Sequence, residues 1–158
     1  MLGDYNQIID DRLWVGQMPR PEDAKQLHRI GITHVVCLQA DADLKQFRTS
    51  AKKIARALEE LGIEFVRVPV REFDTEDLAL KLPECVAAVE AALKPAWARV
   101  YLHCSAGVQR SPTVAAAYLM KTGSMGVDEA CDAVLSKRDC QPDRRALERF
   151  GDTLGVER

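Results

Sequence analysis

The chain is poor in the residues that build metal centres, disulfide scaffolds and nucleic-acid interfaces. It has three histidines and five cysteines, with no CxxC pair. The odd count and the missing pair argue against a disulfide framework and a zinc site. They suit a reducing compartment, cytoplasmic or, with a transit peptide removed, plastidial. The 22 basic and 24 acidic residues leave a net charge of -2. A nucleic-acid partner, which needs a basic excess, is not expected. No apolar run approaches the ~18 residues that cross a bilayer. The opening MLGDYNQIIDDRLW has the pattern of neither a signal nor a transit peptide, so no membrane partner is expected. Internal repeats, low-complexity stretches and linkers are missing too, and residues 1–158 read as one domain.

What is present alternates between strand-like and helix-like stretches. LWVG at 13–16, THVVCL at 33–38, EFVRV at 64–68 and RVYLH at 99–103 read as short strands. Between and after them, helices are predicted over 21–30, 51–61, 78–93, 111–120, 127–137 and 143–154. Pro21 and Pro112 stand at first-turn positions, and Gly31 and Gly62 follow helix ends. A loop is predicted at 69–76. This alternation implies an α/β layered domain with a mostly parallel central sheet flanked by helices. Ligands in such sheets sit beyond the carboxyl ends of the strands. The strand at 99–103 runs straight into Cys104.

The string His103-Cys104-Ser105-Ala106-Gly107-Val108-Gln109-Arg110-Ser111 carries the chemistry. It joins a strand to a helix whose amino end faces the loop. Successive backbone N–H groups in such a turn form an anion-binding concavity, and the helix dipole adds positive potential. The N–H groups of Ser105, Ala106, Gly107, Val108, Gln109 and Arg110 are therefore candidate phosphate ligands. Gly107 allows a backbone angle that a larger residue resists. A thiolate at a helix amino end is stabilised, which makes Cys104 a candidate nucleophile. The planar fork of Arg110 can grip two phosphoryl oxygens. Ser111 can donate a hydrogen bond to the departing thiolate. A plain structural thiol at Cys104 would leave the glycine, arginine and serine around it unexplained. Cys37, Cys85 and Cys131, in a predicted strand and two helices, read as structural. Cys140 lies in a loop.

On these residues the chain resembles the protein tyrosine phosphatases. His103–Ser111 matches their HCxxGxxRS signature, in the compact dual-specificity branch. GITHVVCL and VYLHC match that branch as well. CLQADADLKQF (37–47), REFDTEDLALKLPECV (71–86) and SKRDCQP (136–142) are similar to the glucan phosphatases, which remove phosphate from starch or glycogen-like polymers. The resemblance implies a two-step reaction through a phosphocysteine, with no cofactor required. It also implies an acid on the loop after Val68. Ungapped from Arg71 to Cys104, the family's aspartate falls on Glu72, with Asp74 at a second acidic position. Residue type favours Asp74; Glu72 is the alternative. Gln109 departs from the glycine usual before the arginine in glucan phosphatases.

Sugars bind by stacking on aromatic rings, and aromatics make up only 6% of the chain. Phe73, between the two acid candidates, and Phe47, at an aromatic position of the family's recognition segment, are the candidate platforms. Trp14 and Tyr101 read as core. The expected partner is a phosphorylated glucan or, as the alternative, a phosphotyrosine- or phosphothreonine-bearing protein. Phosphoinositides are disfavoured because Ser105–Gln109 holds no basic residue. A non-catalytic phosphate-binding module is the remaining reading.

Overall fold

The computed structural model describes residues 1–155. In chain order it contains β1 (Tyr5–Ile9), β2 (Leu13–Gly16), a 3-10 turn (Pro21–Asp23) leading into α1 (Ala24–Arg29), β3 (His34–Gln39), α2 (Asp41–Gln46) and α3 (Ala51–Glu59). Then follow β4 (Glu64–Val70), α4 (Thr75–Leu93), β5 (Val100–His103), α5 (Arg110–Gly123), α6 (Val127–Leu135) and α7 (Arg144–Leu154). The sheet order is β1-β2-β5-β3-β4. β2, β5, β3 and β4 are parallel neighbours, and β1 joins the β2 edge antiparallel. The mostly parallel sheet flanked by helices is the expected architecture.

Strand periodicity explains the layers. Successive side chains point to opposite faces, so Trp14, Val35 and Tyr101 pack with Leu27 of α1 and with Ile54 and Leu58 of α3. Their chain neighbours Val15, Val36 and Leu102 pack on the other face with Leu82 of α4, Val114 of α5 and Leu147 of α7. β2, β3 and β5 are buried along their whole length. Continuous apolar runs in the parallel strands are the sequence trace of that double burial. Trp14 and Tyr101 are core residues, as expected.

Two elements lie outside the sequence expectation. β1 (YNQII) is an edge strand with two exposed polar residues, so its alternation is weak. α2 is six residues long and buries only Asp43 and Leu44, too little for a helical period to register. The predicted loop at 69–76 is also shorter than expected. β4 runs on to Val70, and Asp74 starts α4 as N-cap by accepting the Asp77 N–H at 2.9 Å.

Candidate active site

The parallel strands β2, β3, β4 and β5 end on one edge of the sheet, at Gly16, Gln39, Val70 and His103. The segments leaving those ends converge on the loop 104–110. Every carbonyl from Ser105 to Gln109 is taken by a donor outside the loop's concavity. Ser105 O accepts from Met18 N at 2.8 Å, and Val108 O from Gln141 N at 2.7 Å. Ala106 O and Gly107 O accept from the Arg138 guanidinium at 3.3 and 2.8 Å. Gln109 O accepts from Thr113 N and Oγ1 at 3.0 and 2.6 Å. Among the described residues, no N–H from Ser105 to Arg110 donates to another backbone carbonyl. A run of N–H groups left open while all the carbonyls are pulled away is an anion nest, set at the amino end of the 14-residue α5.

Gly107 is needed for this shape. Its φ is +70°, and a Cβ there would lie 2.5 Å from the Gly16 carbonyl carbon and 2.8 Å from Arg138 Nη2. Arg138 is 3% exposed and also bonds Asp4 Oδ1 and Asn6 Oδ1, at 2.9 and 3.0 Å. The guanidinium thus clamps the outside of the loop against the start of the chain.

Cys104 lies beneath the loop, 3% exposed, with Sγ 3.3 Å from Ser111 Oγ. His103 is fully buried, and burial pulls its pKa down to about 4, so its ring is neutral at pH 7. Its Nδ1 is 2.9 Å from the Cys104 carbonyl, an acceptor only, so Nδ1 carries the proton.

Arg110 is 3% exposed and held by a residue absent from the sequence expectations, Asp43. Nη1 donates to Asp43 Oδ2 at 2.9 Å and to the Val70 carbonyl at 2.8 Å, and Nη2 donates to Asp43 Oδ1 at 2.7 Å. Ser105 Oγ donates to the same Oδ1 at 2.7 Å and is positioned to accept from Gln39 Nε2 at 3.2 Å. Burial alone would raise the pKa of Asp43. The Arg110 and Ser105 hydrogen bonds overcome it and hold the carboxyl below the usual carboxylate value.

The two acid candidates point different ways. Phe73 between them has a φ of +56°, in the left-handed region where a bulky residue is an outlier. Glu72 faces the cavity above Cys104, with Oε1 3.8 Å from Arg110 Nη2. Asp74 instead caps α4 and pairs with Arg71 at 3.3 Å. Residue type favoured Asp74, yet the geometry brings Glu72 to the cavity.

That cavity holds about 280 Å³ and is lined by Glu72, Phe73, Cys104, Val108 and Arg110 among others. Phe73 is 86% exposed at its rim. A wider cavity of about 490 Å³ adjoins it through Glu72 and Ala106. Its wall includes Gln17, Glu22, Asp23, Gln46 and Phe47. Phe47 is half-buried there, its carbonyl held by Arg20 Nη1 at 3.1 Å.

The remaining cysteines sit apart from this chemistry. Burial pushes Cys37 up to about 11, Cys85 to about 12 and Cys140 to about 11, so all three are protonated thiols at neutral pH. Cys131 is raised by burial as well. Among the described residues, no helix is long and apolar enough to cross a membrane.

Comparison with known proteins places this geometry among relatives. Residues 13–147 match the family model described as dual specificity phosphatase, catalytic domain. The chain is 32% identical over 145 residues to the amyloplastic phosphoglucan phosphatase DSP4 of Castanea sativa, covering 91% of this chain and 39% of that protein. It is 28% identical over 147 residues to the chloroplastic phosphoglucan phosphatase LSF1 of Arabidopsis thaliana, covering 92% of this chain and 25% of that one. It is 31% identical over 144 residues to the dual specificity protein phosphatase Mpk3 of Drosophila melanogaster, covering 89% and 31%. The chain thus spans between a quarter and two-fifths of these relatives' lengths. Among solved structures, Tk-PTP in its active form superposes with a TM-score of 0.77 at 25% identity, covering 98% of this chain and 97% of that one. Human DUSP28 gives 0.75 at 24% identity over 99% and 98%, a likeness of fold.

Proposed function

This chain belongs to the dual specificity phosphatase family, and on that premise we propose that it hydrolyses phosphate monoesters through a phosphocysteine on Cys104. The observation that carries the reading is the loop 105–110, whose carbonyls are all bonded outward while its N–H groups stay open above the thiol. In the first step Cys104 Sγ bonds to phosphorus and the P–O bond to the alcohol breaks. Glu72 gives its proton to the leaving oxygen. In the second step water attacks phosphorus and the S–P bond breaks. Glu72 takes the proton from that water, and Ser111 Oγ donates to the departing thiolate. The loop amides and Arg110 hold the equatorial oxygens, where charge accumulates.

Glu72 rather than Asp74 fills the acid role because it alone faces the cavity. Glu72→Gln should lower kcat about a hundredfold on an alkyl phosphate, and less on p-nitrophenyl phosphate, whose leaving group needs little help from a proton. Asp74→Asn should keep both activities, since asparagine also caps helices. Steady-state kinetics on the two substrates check this. Full activity in Glu72→Gln beside loss in Asp74→Asn would move the role to Asp74.

For the substrate, the reading is a phosphorylated glucan. The side cavity is rich in hydrogen-bond acceptors, with Gln17, Glu22, Asp23 and Gln46 beside the ring of Phe47. That lining, which also includes Arg20, suits hydroxyl groups. Phe73 offers an open ring face at the catalytic rim, held in a left-handed conformation that costs on the order of 1–3 kcal/mol. The two plant phosphoglucan phosphatases among the relatives add weight. Orthophosphate release from solubilised amylopectin, with Cys104→Ser as blank, tests it. Phe73→Ala should cut the ratio of amylopectin to aryl phosphate activity about five- to tenfold, the worth of roughly 1 kcal/mol of ring contact. Hydrolysis of the aryl phosphate with amylopectin untouched would favour the phosphoprotein substrate.

A further inference from the structure

We propose that Asp43 is a positioning residue for phosphoryl transfer, one that turns a single edge of Arg110 toward the phosphoryl group and ties Ser105 to the same anchor. The proposal rests on the phosphatase reading of Cys104 and Arg110.

A guanidinium has five N–H groups in a fixed plane. Both Nη1 protons are committed, to Asp43 Oδ2 and to the Val70 carbonyl. One Nη2 proton is committed to Asp43 Oδ1. The Nε–H and the second Nη2–H remain, and they lie parallel on one edge. That pair matches two oxygens of a tetrahedral phosphoryl group. Arg110 lines the catalytic cavity.

Asp43 is equally committed. Its Oδ1 accepts from Arg110 Nη2 and Ser105 Oγ, at 2.7 Å each. Its Oδ2 accepts from Arg110 Nη1 and from Ala40 N, at 2.9 Å each. Four donors fill the carboxylate's four lone-pair sites, and the side chain is 2% exposed. The Ala40 bond fastens it to the first turn of α2, and Gln39 at the end of β3 fixes Ser105 from the other side. One carboxylate thus links the β3 end to both ends of the loop.

A buried anion beside an anion-binding site weakens attraction for phosphate, so affinity alone does not account for Asp43. Orientation does: an arginine carries about 2 kcal/mol of rotamer entropy when free, and a misplacement of about 1 Å can cost a hundredfold in rate. Asp43 therefore acts on turnover far more than on binding.

The test begins with the wild-type protein and p-nitrophenyl phosphate. No turnover there would overturn the phosphatase reading, and with it any role in catalysis, while the hold on Arg110 is read separately by NMR. Given turnover, Asp43→Asn should lower kcat about a hundredfold and change the inhibition constant of phosphate, a ground-state ligand, less than about fivefold. In an Arg110→Lys background, the same change should lower kcat less than threefold, because its effect runs through the arginine. Unchanged kcat, inhibitor affinity lost in proportion to kcat, or a full hundredfold loss in the lysine background would each overturn the proposal. Guanidinium NMR of the wild-type protein needs no stable variant. The Arg110 Nη protons should give separate, slowly exchanging signals, and one averaged signal would overturn the hold itself.

Discussion

Changing Cys104 to serine is expected to lower turnover on any phosphate monoester by a factor on the order of 10⁴ or more, while phosphate binding stays within a few-fold of wild type. A serine hydroxyl is protonated at neutral pH and needs a base to attack phosphorus. None is in place. The hydrogen-bond partner of Sγ is Ser111 Oγ, and neutral His103 spends its Nδ1 proton on the Cys104 carbonyl. In the proposed reaction Glu72 serves the leaving oxygen. Binding survives because the oxygens are held by the amides of 105–110 and by Arg110, neither of which passes through the sulfur. Steady-state kinetics and titration calorimetry with inorganic phosphate separate the two effects. Turnover within tenfold of wild type in the serine variant would eliminate the phosphocysteine.

Gly107→Ala should be nearly as severe, through geometry alone. At a φ of +70° an alanine pays on the order of 1–2 kcal/mol. The added Cβ also meets the Gly16 carbonyl carbon at 2.5 Å and its oxygen at 2.6 Å, backbone atoms that cannot step aside. The loop must move, and the N–H groups move with it. Activity should fall by two orders of magnitude or more, along with the melting temperature. Gly62→Ala is the matching control. Its φ is +77° with nothing within 4 Å of the new Cβ. That variant should lose a similar 1–2 kcal/mol of strain energy and keep full activity per folded molecule. Equal activity in the two variants would show that the loop tolerates displacement.

The local parts of this site were legible in the sequence because they are contiguous. A β-branched strand, a nucleophile, a glycine, an arginine and a proline-started helix stand in one string, and the doubly buried strands announce the sheet. Parts joined across the chain left less trace. Asp43 meets Arg110 across 67 residues, from a helix too short to show a period. An acid two residues after Asp41 at the start of a short helix was the available hint, and it reads equally well as a solvated first turn. Arg138 lay within SKRDCQP, where spacing says nothing of the carbonyls it holds. Glu72 lies near Arg110 and Asp74 pairs with Arg71 on either side of a left-handed Phe73, a conformation that a phenylalanine gives no reason to expect. β1 leaves little trace because an edge strand needs no alternation as strict as a buried one.

The outward bonding of the loop carbonyls bears on modularity. The donors come from Met18 after β2, Thr113 in α5, and Arg138 and Gln141 between α6 and α7. Arg138 in turn is tethered by Asp4 and Asn6 near the start of the chain. The string HCSAGVQRS is therefore not a portable cassette. Grafted between a strand and a helix of another scaffold, it would carry the cysteine, the arginine and the amides, but not the donors that turn those amides inward.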